Sequence, residues 1–500
     1  MARRAVFYAL SLLPLLASGF KIPAVGVPVT RSQQHSLHSN SRAESISTTE
    51  WGAECVSRVV PITLEQTSER TYSSDGAAYD IGLFHALAKK KILVTGTYDI
   101  STRLCTPSSK HQVSGRRADT IQFLIHGATY NSIMWYVHSP FLAPTYPILP
   151  YPPSPYPYPY PCITQLIAVT LMHRDWPLES ETYSWTRKMN EEGWATFTWD
   201  LIGIISRIQR EAMLVQSANH ETAGAGNSTR PDGLVEAQVQ SHVETAHQLI
   251  QQLRSGSIGG KKWKHIVSAG FSIGSATLNS LVDQYPKDAD AIILYGFTHN
   301  ALWVYPGFLA GLQASANQID PEKWGDIPST YQSTSTLESR VVACYAGKYD
   351  RKQLVYDHEH RDFDSLGAAI TLVLHMLDAP EYKGHVMLAN GDGKSIHHSF
   401  TPSSPSIRLS PVYPMGPIAS NVLFFIFETG ILLIILILQE DATFCGFHCG
   451  DSPALAYDYI PKAASYDIKV YPNTGHQVLF HHSGPQFMQD AIKFLKNSGF

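Results

Sequence analysis

The sequence predicts an α/β fold in which a mostly parallel central sheet is flanked by helices and interrupted by a lid and irregular inserts. Three observations predict it. Short apolar runs that read as buried strands recur along the chain, at residues 120–125, 266–269, 289–296 and 466–471. The stretch 234–253 has helical spacing instead, with Val239, Val243, Ala246, Leu249 and Leu253 on one face. Several strand ends also carry a polar side chain suited to chemistry: His126, Asp200, Ser272 and His476. Strands alternating with helices in this way build a parallel sheet.

Five hundred residues with 44% hydrophobic and 16% charged content fit a globular protein with a sizeable core. A net charge of −4 and the lack of a long basic run argue against nucleic acid as a partner. The six cysteines form no CxxC pair, which argues against a zinc finger. The chain opens with Met1-Ala2-Arg3-Arg4, an apolar run over 5–17 and the small residues Ala17-Ser18-Gly19. That order describes a secretory signal peptide at 1–19, a secreted protein, and a compartment in which disulfides persist. The sequon Asn227-Ser228-Thr229 agrees with export.

Taken in order, residues 20–50 are rich in Ser, Thr and Gln and read as a leader. Strands follow at 57–63 and 92–100, flanked by Cys55 and Cys105, which could pair. The strand 120–125 runs into His126-Gly127-Ala128-Thr129-Tyr130-Asn131. A Pro-Tyr tract over 146–161 has no core of its own. A helix over 179–191 and a strand over 193–200 come next, and Asp200 at the strand end is expected to order the following turn. After the helix 234–253 the strand 266–269 leads to Ser272, and 275–281 begins a helix. Residues 299–335 read as an irregular, aromatic lid, with Trp303, Tyr305 and Phe308 as acyl-pocket or core residues. Residues 340–345 read as a strand followed by Asp350. The most apolar run is 422–438. Glu428 breaks it, and it falls short of the roughly 20 residues of a membrane span, so 431–438 reads as a central strand. Two local patterns are set aside. Gly391-Asp392-Gly393-Lys394-Ser395 has Leu388 where a phosphate loop needs glycine. His358, Glu359, His360, His397 and His398 lack a third metal ligand at a supportive spacing.

The chemistry centres on Gly270-Phe271-Ser272-Ile273-Gly274. A serine on a sharp strand-to-helix turn needs neighbours with little side chain two positions before and after it, and Gly270 and Gly274 provide that room. The Ile273 N–H then points at a developing oxyanion, and the Ala128 N–H is the second donor. An ordinary strand-to-helix turn is the bland reading of the same residues. His126 reads as a histidine that holds its loop rather than as a base. His476, on a Gly-His turn after the last strand, is the base. Two aspartates compete to orient it. Asp441 follows the stronger apolar run and leaves room for one helix and one strand before His476; Asp350 lies much earlier and is the alternative.

With these parts in the order serine, aspartate, histidine, the chain resembles the α/β-hydrolase superfamily, and more closely the secreted serine hydrolases (esterase- and lipase-like) of filamentous fungi. The resemblance is carried by Gly96-Thr97-Tyr98-Asp99-Ile100 with Cys105, by 124–131, by Asp175-Trp176-Pro177 with 181–184, by 270–275, by Glu440-Asp441-Ala442-Thr443-Phe444-Cys445, and by Pro472-Asn473-Thr474-Gly475-His476. It implies an α/β-hydrolase fold and cleavage of a carboxylic ester through an acyl-enzyme, with Ser272, His476 and Asp441 as the triad. It also implies a small-molecule or lipid-like ester substrate and neither cofactor nor metal. Stretches near 136–173, 204–223 and 396–430 separate the matching blocks, lack periodicity, and read as translated introns. The core then divides into 20–115 (leader and first strands), 116–298 (first part of the core), 299–430 (lid and irregular insert) and 431–500 (the closing part). A catalytically silent binding protein of the same fold, and a protein anchored in a membrane through 422–438, are the alternatives.

Overall fold

The computed structural model describes residues 46–50, 53–69, 91–136, 180–204, 231–301, 304–311, 313–376, 378–392, 425–427, 430–432, 444–445 and 449–500. In chain order the strands are β1 (Ile46–Glu50), β2 (Ala53–Glu69), β3 (Lys91–Pro107), β4 (Thr120–Ile125), β5 (Ala195–Trp199), β6 (His265–Phe271), β7 (Ala291–Tyr295), β8 (Gln313–Ser315), β9 (Tyr331–Thr334), β10 (Asp364–Ser365), β11 (His385–Asp392), β12 (Phe425–Phe427), β13 (Gly430–Leu432) and β14 (Ser465–Pro472). The main helices are α1 (Trp185–Glu191), α2 (Val239–Ser255), α3 (Ile273–Gln284), α4 (Val304–Ala310), α5 (Leu337–Cys344), α6 (Arg351–Glu359) and α7 (Gly484–Asn497).

Nine strands form one sheet in the order β1-β2-β3-β5-β4-β6-β7-β11-β14. The six from β5 to β14 pair in parallel, and β3, β2 and β1 extend the sheet antiparallel at one edge. Apart from His265 at the start of β6, strands β4 to β7 are buried along their length, as expected for parallel strands covered on both faces. One apolar layer holds Phe123, Phe197, Ile266 and Leu294 against α2 and α3. The other holds Leu124, Val267 and Ile293 against Trp185 of α1 and Phe487 and Leu495 of α7. Each such side chain contributes ~1.5–3 kcal/mol on full burial.

Register decides where the chemistry lies. Ile125 pairs with Gly270, Phe271 with Tyr295, and Asp392 with Pro472. The residues that follow each strand therefore gather at one edge, the carboxyl ends. The chain moves from β4 outward to β5 and then returns to the other side of β4 for β6, so the order reverses there. Ligands of open α/β sheets bind at such a switch point.

Two expectations about elements are corrected. Residues 340–345 do not form a strand; 340–344 belong to α5 and Tyr345 is its C-cap. Thr336 and Ser339 make reciprocal side-chain-to-backbone hydrogen bonds at its start, and this capping box outweighs the strand preference of Val341 and Val342. Of the run 431–438, expected as a central strand, the structure describes Ile431 and Leu432 alone. They lie in β13, which pairs with β12 in a separate hairpin, while 433–438 lie outside the described residues. The place beside β14 belongs to β11, where Val386, Met387, Leu388 and Ala389 are fully buried between β7 and β14. Residues 299–335 are also more regular than expected: they contain α4, and β8 and β9 join β10 in a three-stranded sheet. The expected pairing of Cys55 with Cys105 is present across β2 and β3, and Cys445 pairs with Cys449. Residues 46–50, at the end of the expected leader, form β1; the rest of the leader, the sequon, most of the three inserts, Trp303 and Asp441 lie outside the described residues. Among the described residues no helix is long and apolar enough to cross a membrane.

Candidate active site

Ser272 sits between the end of β6 and the start of α3 with φ 55° and ψ −116°. A serine in this part of the backbone map is strained by about 1–3 kcal/mol and persists only where its surroundings over-determine it. Here they do. Its N–H donates to the Tyr295 carbonyl at 3.0 Å, and its carbonyl accepts from Ser275 and Ala276. A Cβ on Gly270 would stand 2.5 Å from the Gly274 carbonyl, and one on Gly274 would stand 2.5 Å from both the Ile125 and His126 carbonyls. The two glycines therefore let the first turn of α3 press against the end of β4. The serine itself is only 4% exposed.

That close approach brings the loop after β4 to the serine. Neither the Ala128 nor the Ile273 N–H has a hydrogen-bond partner among the described residues. His126 holds this loop, as expected. It is fully buried, its Nδ1 donates to the Gly127 carbonyl at 2.9 Å, and its Nε2 accepts from the Leu201 N–H at 3.0 Å. Burial pushes its pKa down to about 4, so it stays neutral and keeps this tautomer. Asp200 also orders its surroundings: one carboxylate oxygen accepts the Ser132 N–H at 2.7 Å. Burial raises its pKa to about 6, against the opposing pull of that hydrogen bond.

His476 follows β14 and lies in the same place. Its ring is 4.9 Å, centroid to centroid, from Phe271 and 5.7 Å from Phe444. A Cβ on Gly296, whose φ is 55°, would meet the His476 ring at 3.0 Å. His476, the serine elbow and the loop after β7 are thus packed together. Phe444, three residues beyond Asp441, is tied in by the hydrogen bond from Thr298 Oγ1 to its carbonyl at 3.0 Å. Asp350 caps α6, its carboxylate accepting the Lys352 N–H at 2.8 Å. Tyr305 donates to the Ile370 carbonyl at 2.7 Å, and Phe308 packs against the core.

The chain belongs to one fold. It is that of the α/β hydrolases. The strand order, the switch point at β4, the strained serine after β6 and the histidine after β14 are its architecture. No family model and no curated protein matches the sequence. Similar solved structures include a thermophilic esterase from Thermogutta terrifontis, at 10% identity and TM-score 0.40, covering 87% of this chain and 99% of that one. A bromoperoxidase from Bacillus anthracis matches at 11% identity and TM-score 0.39, covering 80% and 96%. A monoacylglycerol lipase from Paleococcus ferrophilus matches at 10% and 0.37, covering 76% and 94%.

Sequence reasoning missed His481. Its Nε2 accepts both the Ala346 N–H at 3.1 Å and the Gly475 N–H at 3.0 Å, and its Nδ1 donates to the Gln477 carbonyl at 2.7 Å. It pins the turn that carries His476. Only its closeness to His476 in the sequence hinted at this. It missed Arg340 and Asp357 too, which no local pattern marks. A groove lined by Arg116, Lys287, Asp290, Lys383, His385 and Phe500 lies at the opposite edge, by the amino ends of the strands. Among the described residues no group of three or more His, Cys, Asp or Glu side chains is placed to hold a metal ion.

Proposed function

We propose that the protein is a secreted serine hydrolase that cleaves a carboxylic ester. The observation that carries this reading is the strained Ser272 elbow with His476 packed beside it. Ser272 Oγ attacks the ester carbonyl while His476 takes its proton. The tetrahedral oxyanion is met by the Ala128 and Ile273 N–H groups. His476 then gives the proton to the departing alcohol, and a water activated by the same imidazole releases the acid. Asp441 orients His476; the packing of Phe444 on His476 supports this choice over Asp350, whose carboxylate is engaged as a helix cap. The substrate is a small-molecule or lipid-like ester.

The test is labelling of the folded protein with a fluorophosphonate probe beside Ser272→Ala. Labelling that vanishes in the variant supports the reading. A wild type that is folded by circular dichroism and stays unlabelled overturns it and leaves a silent binding protein of the same fold. Export is tested separately: amino-terminal sequencing of protein from the culture medium should begin at about residue 20.

A further inference from the structure

The segment between β7 and β11 lies where a lid is expected, yet its side chains hold the loop after β4. Thr129 adjoins Ala128 and has φ 62°, an unusual conformation for a β-branched residue. Its hydroxyl oxygen accepts from Arg340 Nη1 at 2.5 Å, and its carbonyl accepts the Asp362 N–H at 3.0 Å. Arg340, on α5, is fully buried, lies 3.9 Å from the centre of the Tyr130 ring, and grips Asp357 of α6 through Nε at 2.9 Å and Nη2 at 2.8 Å. The Asp357 carboxylate also takes the hydroxyls of Tyr130 at 3.0 Å and Tyr345 at 2.9 Å. Asn131 donates to Asp362 at 3.0 Å. Three successive residues of the loop, Thr129, Tyr130 and Asn131, are therefore fastened to this one segment. The same segment reaches the base, since Ala346, next to Tyr345, shares His481 with Gly475.

We propose that the buried Arg340–Asp357 pair is a positioning device that fixes Thr129 in its strained conformation and so aims the Ala128 N–H at the oxyanion. The inference rests on the reading of Ser272 as nucleophile. Thr129 is the point at which to cut the link, because its hydroxyl can be removed without unpairing Arg340 from Asp357. Oxyanion stabilisation acts in the transition state and not in ground-state binding. Losing it slows reaction without weakening association.

The experiment measures phosphonylation of the full-length protein over a range of fluorophosphonate concentrations, which separates the limiting rate from the half-saturating concentration. Thr129→Ala is expected to lower the limiting rate by about 10- to 100-fold with half-saturation unchanged. Thr129→Ser, which keeps the hydroxyl, is expected to stay near wild type. Thr129→Gly adopts a positive φ without strain, so it folds even if the alanine variant does not, and should be as slow as the alanine variant. A labelled wild type whose alanine and glycine variants react at its own rate overturns the inference alone. Alanine and serine variants that slow equally overturn it as well, since the lost methyl and not the hydroxyl would be responsible. A folded, unlabelled wild type overturns the reading of Ser272 and this inference together.

Discussion

At the scale of single residues, the site depends on what is missing from Gly274. Any side chain there must displace the Ile125 and His126 carbonyls, which are backbone atoms at the end of a fully buried strand and cannot yield cheaply. Gly274→Ala is therefore expected to destabilise the protein by about 1–3 kcal/mol, the usual cost of overpacking. It is also expected to abolish probe labelling by moving α3 away from β4. Urea denaturation and labelling test the two effects separately. A variant with wild-type stability and labelling would mean that the elbow is looser than its geometry states.

At the scale of elements, the question is which loop brings the acid. The apolar run at 431–438 drew attention in the sequence because hydropathy is its strongest signal. The strand that lies between β7 and β14 is β11, in which only Val386–Ala389 are apolar and Asn390, Gly391 and Asp392 follow. Phe444 reaches His476 all the same, so the loop before it remains the proposed carrier of the acid. Asp441→Asn is expected to slow labelling by about 10³- to 10⁴-fold, as loss of the orienting carboxylate does in serine triads. Asp350→Asn should leave the labelling rate within about twofold, since asparagine caps helices nearly as well as aspartate. Equal losses in both variants, or a loss in Asp350→Asn alone, would reverse the assignment.

At the scale of the whole molecule, burial of ionisable groups sets the response to pH. Burial lowers the pKa of His126 and His481 to about 4 and of His242 and His299 to about 3, against an ordinary value of 6.5. Between about pH 6.5 and 4 the unfolded chain takes up protons on these rings that the native protein refuses. The unfolded state binds more protons there, and stability falls as pH falls. Asp200 and Asp364 act in the opposite sense, because burial raises them to about 6 and about 7 and the native state holds their protons more tightly. Asp99, Glu236, Asp283 and Asp288 are raised by burial as well, but less far, and His358 joins the four histidines at about 4, so the histidines outweigh the carboxyls. The thermal midpoint is therefore expected to be lower at pH 5 than at pH 7. A midpoint that rises on acidification would show that the histidines are hydrated or paired in their charged form.

The fold class and most core strands were legible in the sequence, and the same local signals suggested the two residues proposed as the ends of the proton relay. Those signals are apolar runs, helical spacing, and glycines flanking Ser272 or preceding His476. The same locality explains the misreading at Arg340–Tyr345, where β-branched residues outvoted a capping box. What holds the site in place is visible only in the folded chain. Thr129, the pair Arg340 and Asp357, and His481 come from three separated parts of the chain, and nothing in their neighbours marks them. Their hydrogen bonds form between buried groups that meet only when the segment between β7 and β11 folds against the loop after β4. A polar contact of that kind leaves no period and no motif in the sequence, because its cause is burial beside a partner far away along the chain.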